Sequence, residues 1–265
     1  MGVSALQTIS PPETGYLKKV YDFCDKRCPS AEIADCDFIQ RPDSENALLF
    51  VNGMRHKAYQ IQHIKDLTLS NSQANIYFVA NHTNGFFNDL LRCTKLRLGG
   101  KSPASETLKE TLEALPKELK KVKIICHSEG SLIVRSALHH LSGEKFKELY
   151  PKLEIISFGA AVFFDKRYAK KVENHVSLID PIPLILNIHK LFHYLWASLL
   201  LLKNKVEKIY QPVKLGDECP LWFHMPRLND PLIEHSLKNS TYSLPFCRTV
   251  LDLQPVRTQT GGSNS

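Results

Sequence analysis

The chain has 265 residues, 43% of them hydrophobic and 23% charged, the proportions of one globular domain with a sizeable core and not of a disordered or low-complexity chain. The formal net charge is +7, but Lys and Arg are spread along the whole length and no nucleic-acid recognition motif accompanies them, so no nucleic-acid partner is expected. The densest basic cluster, Lys117, Lys120, Lys121 and Lys123, reads as a solvated helix end.

Residues 1–13 lack the basic and apolar regions of a signal peptide, so the expected location is cytoplasmic. Tyr16, Leu17, Val20, Tyr21 and Cys24 recur at helical spacing and predict a helix over 14–28. Cys24, Cys28 and Cys36 are the only cluster among seven cysteines. They lack the tight pair and the fourth ligand of a structural zinc site and are expected to be thiols in a reducing compartment. Residues 29–45 are polar, contain Pro29 and Pro42, and read as a loop. Residues 1–45 are therefore expected to be an N-terminal helix and loop packed on the core domain that spans 46–255.

From residue 47 the pattern changes to short, continuous apolar runs, which suit strands buried on both faces of a parallel sheet. These runs are Ala47–Val51, Asn75–Ala80, Val122–Cys126, Leu153–Phe158 and His175–Ile179, with a further strand expected at 208–213. Helical stretches are expected at 56–69, at 103–119 with Ser102 or Ser105 as its cap, at 132–141 and at 165–172. Strands alternating with helices imply a three-layer α/β/α domain with a mostly parallel sheet. The stretch 184–203 is apolar but interrupted by Asn187, His189, Lys190 and His193. Its uninterrupted part is shorter than the ~20 residues of a spanning helix, so it reads as a buried helix or an apolar cap that offers peripheral membrane contact. Residues 256–265 read as a disordered tail.

In a parallel sheet, function gathers beyond the carboxyl ends of the strands. Asn52-Gly53, Asn81 to Gly85, Ser128, Gly159 and Asp180 all lie at such ends. Cys126-His127-Ser128-Glu129-Gly130 stands between a strand and a helix, the setting of a nucleophilic serine on a tight turn. Gly130 keeps the second small position, whereas Cys126 occupies the first, where glycine is usual. The bland alternative is an N-capping serine at an ordinary turn. Asp180 ends a strand, with Pro181 and Pro183 fixing the chain that leaves it. Asp165 is the rival acid, and a turn aspartate is the bland alternative.

These residues resemble the α/β-hydrolase superfamily, and within it the class 3 type of lipase. The resemblance rests on the serine turn, on Ile156-Ser-Phe-Gly-Ala160 and on the strand ending in Asp180-Pro-Ile-Pro183. Asn52-Gly-Met-Arg55, Ala80-Asn-His-Thr-Asn-Gly85 and the Cys126–Ser131 turn also resemble uncharacterised hydrolase-like proteins of chlamydia-type bacteria. The resemblance implies a Ser–acid–His order along the chain, hence Ser128, Asp180 and His235 as catalytic residues. His224 is the main rival base, while His189 and His193 read as packing or lid residues. It also implies an oxyanion hole from the backbone N–H groups of Glu129 and Met54. The expected activity is a serine esterase or lipase-like hydrolase acting on a small-molecule or lipid ester, with no cofactor or metal. The alternative is an inactive hydrolase fold kept for binding. Glu129 is expected to direct its carboxylate toward the entrance of the site.

Overall fold

The computed structural model describes residues 6, 10–27, 36–41, 44–54, 73–82, 85–178, 180–187, 191–206 and 213–224. In chain order the elements are α1 (Gly15–Arg27), β1 (Cys36–Ile39), β2 (Asn46–Val51), β3 (Asn75–Val79), α2 (Phe86–Arg97) and α3 (Pro103–Ala114). Then come β4 (Lys121–His127), α4 (Gly130–His139), α5 (Gly143–Leu149), β5 (Leu153–Phe158), β6 (Lys171–Ser177), α6 (Pro181–Leu186), α7 (Leu191–Val206), β7 (Val213–Leu215) and β8 (Leu221–His224).

The eight strands form one sheet in the order β1-β3-β2-β4-β5-β6-β8-β7. The six inner strands are parallel, and β1 and β7 close the two edges antiparallel. The continuous apolar runs explain the centre. Ala47, Leu49 and Val51 of β2 join one hydrophobic cluster, with Leu108 and Leu112 of α3 and Leu132 and Ile133 of α4. The alternate residues Leu48 and Phe50 join a second cluster with Phe78, Ile125, Ile156 and Phe158, all at most 2% exposed. Both faces are therefore covered, and the architecture is the expected three-layer α/β/α, with a mostly parallel sheet flanked by helices.

Local signals set several boundaries. Ser102 and Ser105 form a reciprocal capping box at the start of α3, each side chain accepting from the other's backbone N–H. The predicted helix 103–119 stops at Ala114, because Leu115 precedes Pro116 and takes an extended conformation. No helix forms at 165–172; Lys171 instead opens β6, four residues before the predicted strand. The early part of β6 is polar, which hid it. Asn174 is fully buried there and spends its whole amide: Oδ1 accepts from Ser157 Oγ and Phe164 N, and Nδ2 donates to Phe164 O and Pro220 O.

Other readings also change. Part of the predicted loop 29–45 becomes edge strand β1, and α2 and α5 arise where no helix was expected. Lys123 is buried within β4 and is not on a solvated helix end, since apolar neighbours on β4 carry it into the sheet. The predicted helix 56–69, most of the predicted strand 208–213 and the tail 256–265 lie outside the described residues. The apolar stretch 184–203 falls on α6 and α7. Only Ala197 of α7 is fully buried among its described side chains, while Phe192, Leu195, Trp196 and Leu199 are half or more exposed. No described helix is long and apolar enough to cross a membrane.

The start of α4 presses against the end of β2. A Cβ built on Gly130 would lie 2.4 Å from the carbonyl oxygen of Val51 and 3.0 Å from that of Asn52. Backbone atoms cannot swing aside as a side chain can. Gly130→Ala is expected to destabilise the protein by about 1–3 kcal/mol despite alanine's better helix propensity, measured as a lowered urea midpoint with an unchanged slope.

Candidate active site

Ser128 occupies the turn between β4 and α4 with φ of 53°, the only described non-glycine residue at positive φ. That left-handed conformation costs energy for a residue bearing a Cβ, so the surroundings must impose it. They do so through the backbone. Ser128 N donates to Phe158 O at the end of β5, and Ser128 O accepts from Ser131 N, Ser131 Oγ and Ala161 N. Gly53, at the end of β2, closes over the turn from the other side. A Cβ there would stand 2.7 Å from the Cβ of Ser128 and 2.9 Å from the carbonyl oxygen of His127. Cys126, in place of the usual glycine, is fully buried in the core cluster beneath α4, and burial pushes its thiol well above the usual range.

Beside the turn opens a cavity of about 300 Å³, lined by Ser128 and Glu129 and by Met54, Leu132, Ile182 and Leu186 among other, mainly apolar, residues. This lies at the small end of ligand pockets. Arg97, at the end of α2, donates to Ala161 O at 3.3 Å and to Leu186 O, and so ties α6 to α2 across the cavity. Three of the predicted site residues, Ser128, Glu129 and Met54, thus meet at one cavity.

The Glu129 carboxylate does not face the entrance. It is fully buried, because Arg92 of α2 draws it inward: Arg92 Nε donates to Oε1 at 2.7 Å and Nη2 to Oε2 at 3.0 Å, a bidentate pair. Arg92 Nη2 also donates to Asp89 Oδ1 at 3.0 Å and Nη1 to His82 O at 3.1 Å. Burial alone would lower the Arg92 guanidinium, but the hydrogen bonds and charge of Glu129, with the charge of Asp89, more than offset this and raise it above its usual value.

The network continues to the Asn52 loop. Asn81 Nδ2 donates to Glu129 Oε2 at 2.7 Å. Asn52 Oδ1 accepts from Asn81 N at 2.7 Å, and Asn52 Nδ2 donates to Asn81 O and Gly53 O, both at 2.9 Å. Asn52 and Asn81 stood out in the sequence as strand-end residues. Arg92 and Asp89 carried no signal, because α2 itself was not predicted.

Asp180 follows β6 and is fully buried, at the same carboxyl edge of the sheet as Ser128. Its Oδ1 accepts from Ile182 N at 3.0 Å and caps α6. Asp165 is bound to Arg167 through both carboxylate oxygens, at 2.7–3.1 Å. His224 ends β8, and its Nε2 lies 2.9 Å from His175 Nδ1, while His175 Nε2 lies 3.3 Å from Glu173 Oε2. Hydrogen bonding to His175, with help from Lys171, pulls the Glu173 carboxyl down to about 2. His224 Nε2 and His175 Nδ1 are thus paired with each other, beside the Glu173 carboxylate. His189 and His235 lie outside the described residues, as does the side chain of His193. Among the described residues no group of three or more His, Cys, Asp or Glu is placed to hold a metal.

No family model matches the chain, and no curated protein matches it. Among solved structures, it is similar to a lipase-esterase related protein from Clostridium acetobutylicum, at 17% identity over 51% of this chain and 50% of that one, with a TM-score of 0.31. It is similar to Aspergillus fumigatus lipase B, at 12% identity over 54% of this chain and 39% of that one, with a TM-score of 0.34. It is also similar to a Trichoderma reesei cutinase in complex with a C11Y4 phosphonate inhibitor, at 15% identity over 58% and 70% of the two chains, with a TM-score of 0.33. The chain thus spans half or less of the first two proteins. The architecture is a three-layer α/β/α fold with a mostly parallel central sheet, as in the α/β-hydrolase fold.

Removing one partner from a buried ion pair strands the other charge. Arg92→Met is therefore expected to lower stability by about 3–5 kcal/mol, and combining it with Glu129→Gln should recover part of that loss. Denaturant unfolding of the two single variants and the double variant measures both effects.

Proposed function

We propose that the chain is a serine hydrolase acting on a carboxylic ester with an apolar acyl group, and that Ser128 is its nucleophile. The observation that carries this reading is the left-handed Ser128 between β4 and α4, held at the mouth of an apolar cavity. A strained residue at a strand–helix turn is a cost that function, more than stability, explains. The N-terminus of α4 adds positive potential beside the hydroxyl.

In this reading Ser128 Oγ attacks the ester carbonyl while His235 takes its proton as general base. Asp180 orients the imidazole and stabilises the imidazolium that forms. The negative charge that develops on the carbonyl oxygen is held by the backbone N–H groups of Met54 and Glu129. His235 then gives its proton to the departing alcohol, leaving an acyl group on Ser128. Water, deprotonated by His235, attacks the acyl carbonyl, and Ser128 Oγ leaves with the proton. The binding of Asp165 to Arg167 supports Asp180 as the acid, and the pairing of His224 Nε2 with His175 Nδ1 supports His235 as the base.

A second reading, a hydrolase fold kept for binding alone, draws on two observations. Ser128 is only 2% exposed, and Asp180 spends one oxygen on capping α6. Labelling with a fluorophosphonate separates the two readings, because the probe reacts only with activated serines. The wild type is expected to label, and Ser128→Ala and His235→Ala are each expected to abolish labelling. A folded wild type that does not label would favour the binding reading.

A further inference from the structure

The two amides assigned to the oxyanion belong to segments far apart in sequence, the loop after β2 and the start of α4. Their separation must be held to within a fraction of an ångström, because a donor serves only at the right distance from the oxygen. Backbone packing sets one limit, through the approach of Gly53 to Ser128 and of Gly130 to Val51. These approaches leave no room for a side chain and limit how close the segments can come, while the β2–β4 ladder that holds the strands together ends at the Val51–Cys126 pair.

Beyond the end of that ladder, the link between the two segments runs through side chains. Asn52 precedes Gly53 and Met54, and its side chain grips the backbone of Asn81 by both its N–H and its C=O. The Asn81 side chain grips the Glu129 carboxylate. Glu129 is the residue that carries the second amide assigned to the oxyanion, and it lines the cavity. An unbroken line of buried hydrogen bonds therefore leads from one amide-bearing segment to the other: Met54 loop, Asn52, Asn81, Glu129. Arg92 fixes the far side of the carboxylate and itself leans on Asp89. Asn52, Asn81, Asp89 and Glu129 are at most 4% exposed and Arg92 is 8% exposed, so water competes little for these bonds. Asn52 and Glu129 are the two ends of this link, and Asn81 is its middle.

We propose that Asn81 is a positioning residue that sets the gap between the Met54 and Glu129 amides, with Asn52 and the Arg92-held Glu129 carboxylate as its two anchors. This rests on the serine hydrolase reading of the same site. Asn81 does not touch the substrate. It acts by keeping two donors in register for an oxyanion that exists only in the transition state, so its loss falls on kcat and leaves KM nearly unchanged.

The test is steady-state hydrolysis of a p-nitrophenyl acyl ester by wild type, Asn81→Ala and Asn52→Ala, with thermal melting of each. Ser157→Ala serves as a control, because it removes a buried hydrogen bond to Asn174 that is not part of the Asn52–Asn81–Glu129 link. Asn81→Ala and Asn52→Ala are each expected to lower kcat by roughly 10–100-fold, somewhat less than the loss of a whole oxyanion donor, with KM within about twofold of wild type. The Asn81→Ala/Asn52→Ala double variant should be no worse than about the weaker single one, because both cut the same link. Ser157→Ala should lower the melting temperature without changing kcat. An Asn81→Ala protein that stays folded and keeps the wild-type kcat overturns the proposal while leaving the hydrolase reading intact. So does a kcat loss in Ser157→Ala as large as that in Asn81→Ala, which would mark the effect as general loosening. Neither hydrolysis nor phosphonate labelling by folded wild type overturns the hydrolase reading and this proposal together.

Discussion

The buried pair between Arg92 and Glu129 is the interaction on which the rest of the site depends. A carboxylate directly after the serine would otherwise bring an unpaired charge into the core at the start of α4. Arg92 removes that cost from one side and Asn81 from another, and the satisfied carboxylate becomes a fixed point. Arg92 reaches it from α2, which packs beside α4 and lines the cavity. Asp89, one turn earlier on α2, takes a remaining donor of the guanidinium. A buried ion pair contributes little net stability on its own, but here it fixes the relative placement of α2, the serine turn and the Asn52 loop.

Around that fixed point the sheet supplies precision through close packing. Gly53 and Gly130 sit where no side chain fits, so the end of β2 and the start of α4 enclose Ser128 at backbone distance. The hydrogen bonds of Ser128 to Phe158, Ser131 and Ala161 hold its left-handed conformation in place. Arg97 performs a similar task at the rim, tying α6 to α2 through Leu186 O and the loop after β5 to α2 through Ala161 O. The cavity is thus walled by elements that are each anchored elsewhere, with Glu129 engaged by Arg92 and Arg97 by backbone carbonyl oxygens.

Much of this was legible in the sequence, and the limits have physical reasons. The runs Ala47–Val51, Asn75–Ala80, Val122–Cys126 and Leu153–Phe158 announced β2 to β5, because strands covered on both faces need unbroken apolar character. β6 was read late because Lys171, Glu173 and Asn174 are polar, and only the satisfaction of Asn174 by four partners makes its burial possible. β1 and β8 are four residues each, too short to carry a pattern. Ser128, Asp180 and Gly130 stood out because a strand end, a turn and a helix start coincide there. The direction of Glu129 was misread, since the cation that turns it inward lies on α2, which was not predicted although Phe86, Phe87, Leu90 and Leu91 stand at helical spacing.

The central claim is that Ser128 is an activated nucleophile flanked by two oxyanion donors, and a crystal structure of the phosphonate-treated protein tests it most directly. The predicted result is a covalent bond from Ser128 Oγ to phosphorus, with the phosphoryl oxygen about 2.7–3.1 Å from the backbone nitrogens of both Met54 and Glu129. An adduct on another residue, or a phosphoryl oxygen on Ser128 turned away from both amides, would contradict it.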